Sequence, residues 1–118
     1  MSRPTAFIVE DDPQLSKIFS ITLQSEFEVE TATDGNEAMA RLMQIAPTLI
    51  LLDLHLPGVS GREILASIRA DARLEKTFVI LATADERMAE EMQDQADIVL
   101  LKPISPAQLR QIASRFTP

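Results

Sequence analysis

Five residues in this chain have the side chains that phosphoryl chemistry needs, and each falls at the end of an apolar run. Glu10 and Asp11 follow Ala6-Phe7-Ile8-Val9, Asp53 closes Leu49-Ile50-Leu51-Leu52, Thr83 ends Phe78-Val79-Ile80-Leu81-Ala82, and Lys102 follows Ile98-Val99-Leu100-Leu101. Carboxylates brought close together repel, which raises their pKa values or recruits a cation. An oxygen-only ligand set with room for water suits Mg²⁺. A metal there offsets the repulsion and leaves Asp53 as an exposed nucleophilic oxygen, while Lys102 and the Thr83 hydroxyl bind the other oxygens of an incoming phosphoryl group. Phosphoryl transfer asks for little beyond such positioning and neutralisation of charge.

Taken singly, each residue has a plain structural account. Glu10-Asp11-Asp12 reads as a charged loop with a helix cap, Asp53 as a strand-end turn former, Thr83 as a β-branched strand residue and Lys102 as a solvated charge. His55, the only histidine, reads as a loop residue. Their joint placement favours chemistry, because ligands of an open parallel sheet bind outside the carboxyl ends of its strands.

The elements that must position these residues alternate along the chain. After the first strand, Asp12 and Pro13 start a helix as capping carboxylate and first-turn proline, and Leu15, Ile18, Phe19 and Thr22 continue it to about Ser25. Val29–Thr33 alternates as a more exposed strand, and Asp34-Gly35 turns the chain. Ala38, Leu42 and Ile45 share a face of a second helix that Pro47 ends. The buried run Leu49–Leu54 reaches Pro57-Gly58, the middle of a type II turn, and Ser60 with Glu63 opens a third helix through about Asp71. Phe78–Thr83 is a fourth strand, Glu86–Gln95 a short acidic helix and Ile98–Leu101 a fifth strand. Ser105, Pro106 and Gln108 start a last helix whose face carries Leu109, Ile112, Ala113 and Phe116. Strands alternating with helices predict a doubly wound α/β domain with a mostly parallel sheet and helices on both faces.

Composition narrows the function. A chain of 118 residues suits one domain. With no cysteine, disulfides and thiolate metal sites are excluded, and three glycines in no G-x-G-x-x-G or G-x-x-x-x-G-K arrangement exclude those phosphate loops. The start Met1-Ser2-Arg3-Pro4 lacks the apolar core of a signal peptide, and no run approaches the ~20 residues of a membrane span, so a cytoplasmic protein is expected, without membrane contact. A net charge of -7 argues against direct nucleic-acid binding. Asp85, Glu86, Glu90, Glu91 and Asp94 form an acidic helix, read as a solvated face in preference to a dock for a basic partner or for Arg110 and Arg115 of a second copy in a weak homodimer.

The pieces Phe7-Ile8-Val9-Glu10-Asp11, Leu52-Asp53-Leu54-His55-Leu56-Pro57-Gly58 with Gly61, Leu81-Ala82-Thr83-Ala84 and Leu101-Lys102-Pro103 together resemble the response regulator receiver domain, the phosphoacceptor module of two-component signalling. The resemblance implies a flavodoxin-like five-stranded sheet in the order 2-1-3-4-5 with five helices. It implies that Asp53 accepts phosphate from the phosphohistidine of a sensor histidine kinase or histidine phosphotransfer protein, switching protein contacts. It assigns Asp11 and Asp53 to direct Mg²⁺ binding, Glu10 to binding through water and the His55 backbone carbonyl to the same ion. Thr83 and Lys102 take the phosphoryl oxygens, and the Lys102-Pro103 bond is cis.

Three departures accompany it. Val99 stands where the family usually has Tyr or Phe, a ring that moves with the threonine on activation. The segment from Thr83 to Lys102 is short, with Gln95 where glycine is common. The chain stops after its fifth helix, so one receiver domain over residues 1–118 without an output domain is expected. Such a domain is no enzyme in the usual sense, since it catalyses only its own phosphorylation and dephosphorylation. Two alternatives stand beside it: a receiver that binds partners without phosphorylation, suggested by Val99, and an aspartyl-phosphate phosphatase of the haloacid dehalogenase type. The phosphatase wants a second acid two residues after its nucleophile, where this chain has His55.

Overall fold

The computed structural model describes residues 3–116. Met1, Ser2, Thr117 and Pro118, the ends of the expected 1–118 span, lie outside the described residues. Five strands, β1 (Thr5–Val9), β2 (Glu28–Ala32), β3 (Leu49–Asp53), β4 (Phe78–Thr83) and β5 (Ile98–Leu101), alternate with α1 (Pro13–Leu23), α2 (Gly35–Leu42), α3 (Gly61–Ala70), α4 (Glu86–Met92) and α5 (Pro106–Ala113). All neighbouring strands are parallel, in the order β2-β1-β3-β4-β5. This is the flavodoxin-like arrangement that the resemblance implies.

The side-chain period of two explains how one sheet serves two cores. Phe7, Val9, Ile50, Leu52, Val79 and Leu81 join residues of α2, α3 and α4 on one face. Ala6, Ile8, Leu49, Leu51, Ile80 and Ala82 join residues of α1 and α5 on the other. β3 pairs with β1 and β4, and all five of its residues are buried, as a continuous apolar run demands. β2 lies at the sheet edge, and its partly exposed residues match its weaker pattern.

Helix starts follow the capping chemistry. The Asp12 side chain accepts from Gln14 and Leu15 N–H groups, Ser60 from Glu63, and Ser105 from Gln108. Asp34 departs from the expected turn: it caps α2, accepting from Glu37 N at 2.8 Å, and Gly35 is the first helical residue. Gly35 also donates to the Pro57 carbonyl at 3.0 Å, and a Cβ there would lie 1.7 Å from the Val59 carbonyl oxygen. Only glycine therefore lets the β3–α3 loop rest on the start of α2. Gly58 has φ +78°, the left-handed value that the third position of a type II turn requires.

Helix ends were less regular than periodicity suggests. α1 stops at Leu23 and α4 at Met92, short of the expected Ser25 and Gln95, and α2 stops at Leu42, before the Pro47 expected to end it. Ile45 still packs on the core from beyond α2. Phe116 lies past α5 in a 3-10 turn, Ser114–Phe116, stacked on Phe78 with ring centroids 3.6 Å apart. A second 3-10 turn, Ala72–Leu74, buries Leu74 between α3 and β4.

Candidate functional site

β1, β3, β4 and β5 deliver the five residues to one edge of the sheet. Glu10 follows β1, where its backbone N–H continues the ladder to Ala32, and its side chain is buried. Asp53 is the last residue of β3 and Thr83 the last of β4, both buried. Lys102 follows β5, its backbone N–H bound to the Thr83 carbonyl at 2.8 Å, and the Lys102-Pro103 bond is cis as expected.

The charges meet at Lys102. Its Nζ donates to Glu10 Oε1 at 3.0 Å and to Asp53 Oδ2 at 3.1 Å, so one ammonium bridges two buried carboxylates. The other carboxylate oxygens are held by backbone: Asp12 N–H donates to Glu10 Oε2 at 3.1 Å, and His55 N–H to Asp53 Oδ1 at 3.0 Å. Burial pushes the Glu10 carboxyl above its usual range, and the Asp53 charge adds to that, against the opposing Asp12 and Lys102 contacts. Burial pushes the Lys102 ammonium down, but its contacts with Glu10 and Asp53 together outweigh this and hold it above the ordinary lysine value.

Asp11 is exposed, and carboxylate oxygens of Glu10, Asp11 and Asp53 lie within 4.8 Å of one another. Three hard anionic oxygens at that separation, open to solvent on the Asp11 side, fit a divalent cation that keeps several waters. Thr83 Oγ1 accepts from Asp85 N–H at 3.1 Å and meets His55 Nε2 at 3.3 Å. Glu10, Asp11, Asp53 and Lys102 thus lie together, and Thr83 joins them through a contact that periodicity did not show. His55, read from sequence as a loop residue lending a carbonyl, also brings its ring onto Thr83. Asp85 caps α4 through Arg87 and Met88 N–H groups.

Beside the site, Leu15, Phe19, Ala84, Lys102, Pro103 and Ile104 line a largely apolar hollow of about 330 Å³. On the opposite face Val99 is half-buried against the core of α2, α3 and α4. One acid of the acidic segment is paired within the chain, Glu91 with Arg62 of α3 at 2.7 Å, and beyond the segment Asp97 pairs with Arg69 at 3.1 Å. No helix among the described residues is long and apolar enough to cross a membrane.

A family model for the response regulator receiver domain matches residues 6–114. Among curated relatives, the DNA-binding response regulator MtrA of Mycolicibacterium smegmatis is 31% identical over 108 residues, covering 91% of this chain and 47% of that protein. The phosphate regulon transcriptional regulatory protein PhoB of Rhizobium meliloti is 36% identical over 110 residues, covering 90% of this chain and 48% of that protein. The chain therefore spans about half the length of the curated relatives it matches. Among solved structures, the chemotaxis response regulator CheY4 of Vibrio cholerae superposes with a TM-score of 0.88 at 27% identity, covering 98% of this chain and 99% of that one. The BeF3-activated DrrB receiver domain gives 0.87 at 29% identity, covering 98% of this chain and 97% of that one.

Proposed function

The chain belongs to the response regulator receiver domain family, a signalling module, and from that premise we propose that Asp53 is its phosphoacceptor. The observation that carries this reading is the convergence of Asp53, Glu10, Asp11, Lys102 and Thr83 on one sheet edge. The donor is a phosphohistidine on a sensor kinase or a histidine phosphotransfer protein. An Asp53 carboxylate oxygen attacks phosphorus, the P–O bond forms as the P–N bond breaks, and the departing imidazole keeps the bonding pair and takes a proton. Water later cleaves the acyl phosphate and returns Asp53 with inorganic phosphate.

Asp11 and Asp53 would hold Mg²⁺ directly, with the His55 backbone carbonyl and, through water, Glu10. When bound, that ion supplies neutralisation of the charge gathered on carboxylate and phosphoryl oxygens. Lys102 has the reach to exchange one of its two carboxylates for a phosphoryl oxygen, and Thr83 offers a hydroxyl to another. The phosphorylated state then alters contacts with a downstream protein. DNA binding stands in the name of the MtrA relative, a protein about twice the length matched here; for the acidic residues of this domain, protein contacts are the expected output.

Acetyl phosphate with Mg²⁺ should produce a retarded band on Phos-tag gels that Asp53→Asn abolishes. An equal band in the variant would place the phosphate elsewhere. Val99 favours a second reading, partner binding without phosphorylation, under which beryllofluoride with Mg²⁺ leaves the melting temperature and the Thr83 amide signal unchanged. Steady turnover of phosphate monoesters, the mark of the phosphatase alternative, is not expected.

A further inference from the structure

Resting on the reading of Asp53 as phosphoacceptor, we propose that the His55 side chain is a positioning residue for Thr83, holding its hydroxyl in a resting place that a phosphoryl group on Asp53 must win it from. Thr83 is wholly buried at the end of β4, whereas His55 is exposed two residues beyond Asp53. An exposed ring therefore closes over a buried hydroxyl. The Thr83 oxygen is fixed from two sides, by the His55 ring nitrogen at 3.3 Å and by Asp85 N–H at 3.1 Å.

A hydroxyl has one proton and two lone pairs. If the ring nitrogen is bare, the Thr83 proton is spent on it. If the ring nitrogen carries the proton, both Thr83 lone pairs are engaged and the oxygen is anchored. In either tautomer, a hydroxyl that leaves this place to bond a phosphoryl oxygen on Asp53 gives up the ring contact. Threonine is stiff about its first side-chain torsion, so this movement is a change between discrete rotamers. The same loop ties both ends together, because His55 N–H binds the Asp53 carboxylate while the His55 ring binds Thr83. Through the ring contact, His55 thus opposes the phosphorylated arrangement at Thr83.

The test measures beryllofluoride affinity, with Mg²⁺, by NMR titration in the wild type, H55A, H55Q, T83A and the H55A/T83A pair. Gln reaches as far as the ring and can bond the hydroxyl. Loss of one neutral hydrogen bond from the resting state should tighten binding roughly fivefold in H55A. H55Q should return it toward the wild-type value, and the gain should vanish when Thr83 is alanine. An unchanged affinity in H55A, or an equal gain in the T83A background, overturns the proposal. Should the wild type not respond to beryllofluoride, the phosphoacceptor reading is what fails. The resting contact is then decided in the untreated protein: the Thr83 methyl and Asp85 amide signals should shift in H55A and far less in H55Q, and their constancy in H55A overturns it.

Discussion

Removing the Lys102 ammonium would leave Glu10 and Asp53, whose side chains are 3% and 4% exposed, facing each other without the cation they share. Breaking a buried pair from one side costs more than the pair's net worth, since the partner charge stays buried. With the lysine itself 21% exposed, water recovers part of that loss, and Lys102→Ala should destabilise the fold by about 2 kcal/mol at neutral pH without divalent cations. Some of the deficit will be met by Glu10 taking up a proton, because burial already pushes its carboxyl in that direction. Adding Asp53→Asn should recover part of the loss, and urea denaturation of the two single variants and the pair reads the coupling. Additive losses would show that Lys102 does not bridge these carboxylates. The sequence places a lysine at the end of β5, but the choice of partners across 92 and 49 residues is a matter of side-chain reach that spacing does not encode.

At the scale of elements, strands were legible because continuous apolar runs have few other uses, and helix starts because Asp12, Ser60 and Ser105 carry their caps beside them. Helix ends and the 3-10 turn at Ala72–Leu74 were not, since a three-residue turn has no period and the last turn of a helix is decided by tertiary contacts. That turn is held by Asp71, whose carboxylate accepts from both the backbone and the guanidinium of Arg73, each at 2.9 Å. Arg73 in turn donates to the Leu42 carbonyl at 2.7 Å, tying the end of α3 to the end of α2. The Arg73 guanidinium bond, followed by its backbone bond, lowers the Asp71 carboxyl below the usual range. A folded pKa below the unfolded one means that the stabilising contribution is present above the ordinary aspartate range and is lost as pH falls through the folded value. The stability gap between wild type and Asp71→Asn should therefore be full at neutral pH and close under acid, as followed by urea midpoints. A gap independent of pH would mean that the carboxylate's charge contributes nothing there.

For the molecule as a whole, the order β2-β1-β3-β4-β5 converts scattered residues into a site, because it sets β1, β3 and β4 side by side with their carboxyl ends together. Alternation alone predicts parallel strands but several possible orders, so it is the assembled order of the sheet that brings Glu10, Asp11 and Asp53 together. The His55 ring on Thr83 lay further from view, since an exposed histidine in a loop has no pattern to betray its partner. A cluster of three carboxylates in a chain of net charge -7 makes the folded state less favourable than a neutral edge would. Any cation that binds the folded form and not the unfolded chain offsets this by mass action, contributing about 1.4 kcal/mol at a tenfold excess over its dissociation constant. For a domain of this size that corresponds to a rise of roughly 5 °C in melting temperature. Mg²⁺ should therefore raise the melting temperature of the wild type progressively with concentration. Asp53→Asn, which removes one charge of the Glu10, Asp11 and Asp53 cluster, should need several times more Mg²⁺ for the same rise. Calorimetry of both proteins across a magnesium series decides it: coincident curves would mean that the ion acts by general screening of the acidic surface, and would overturn the proposed role of Asp53 in binding it.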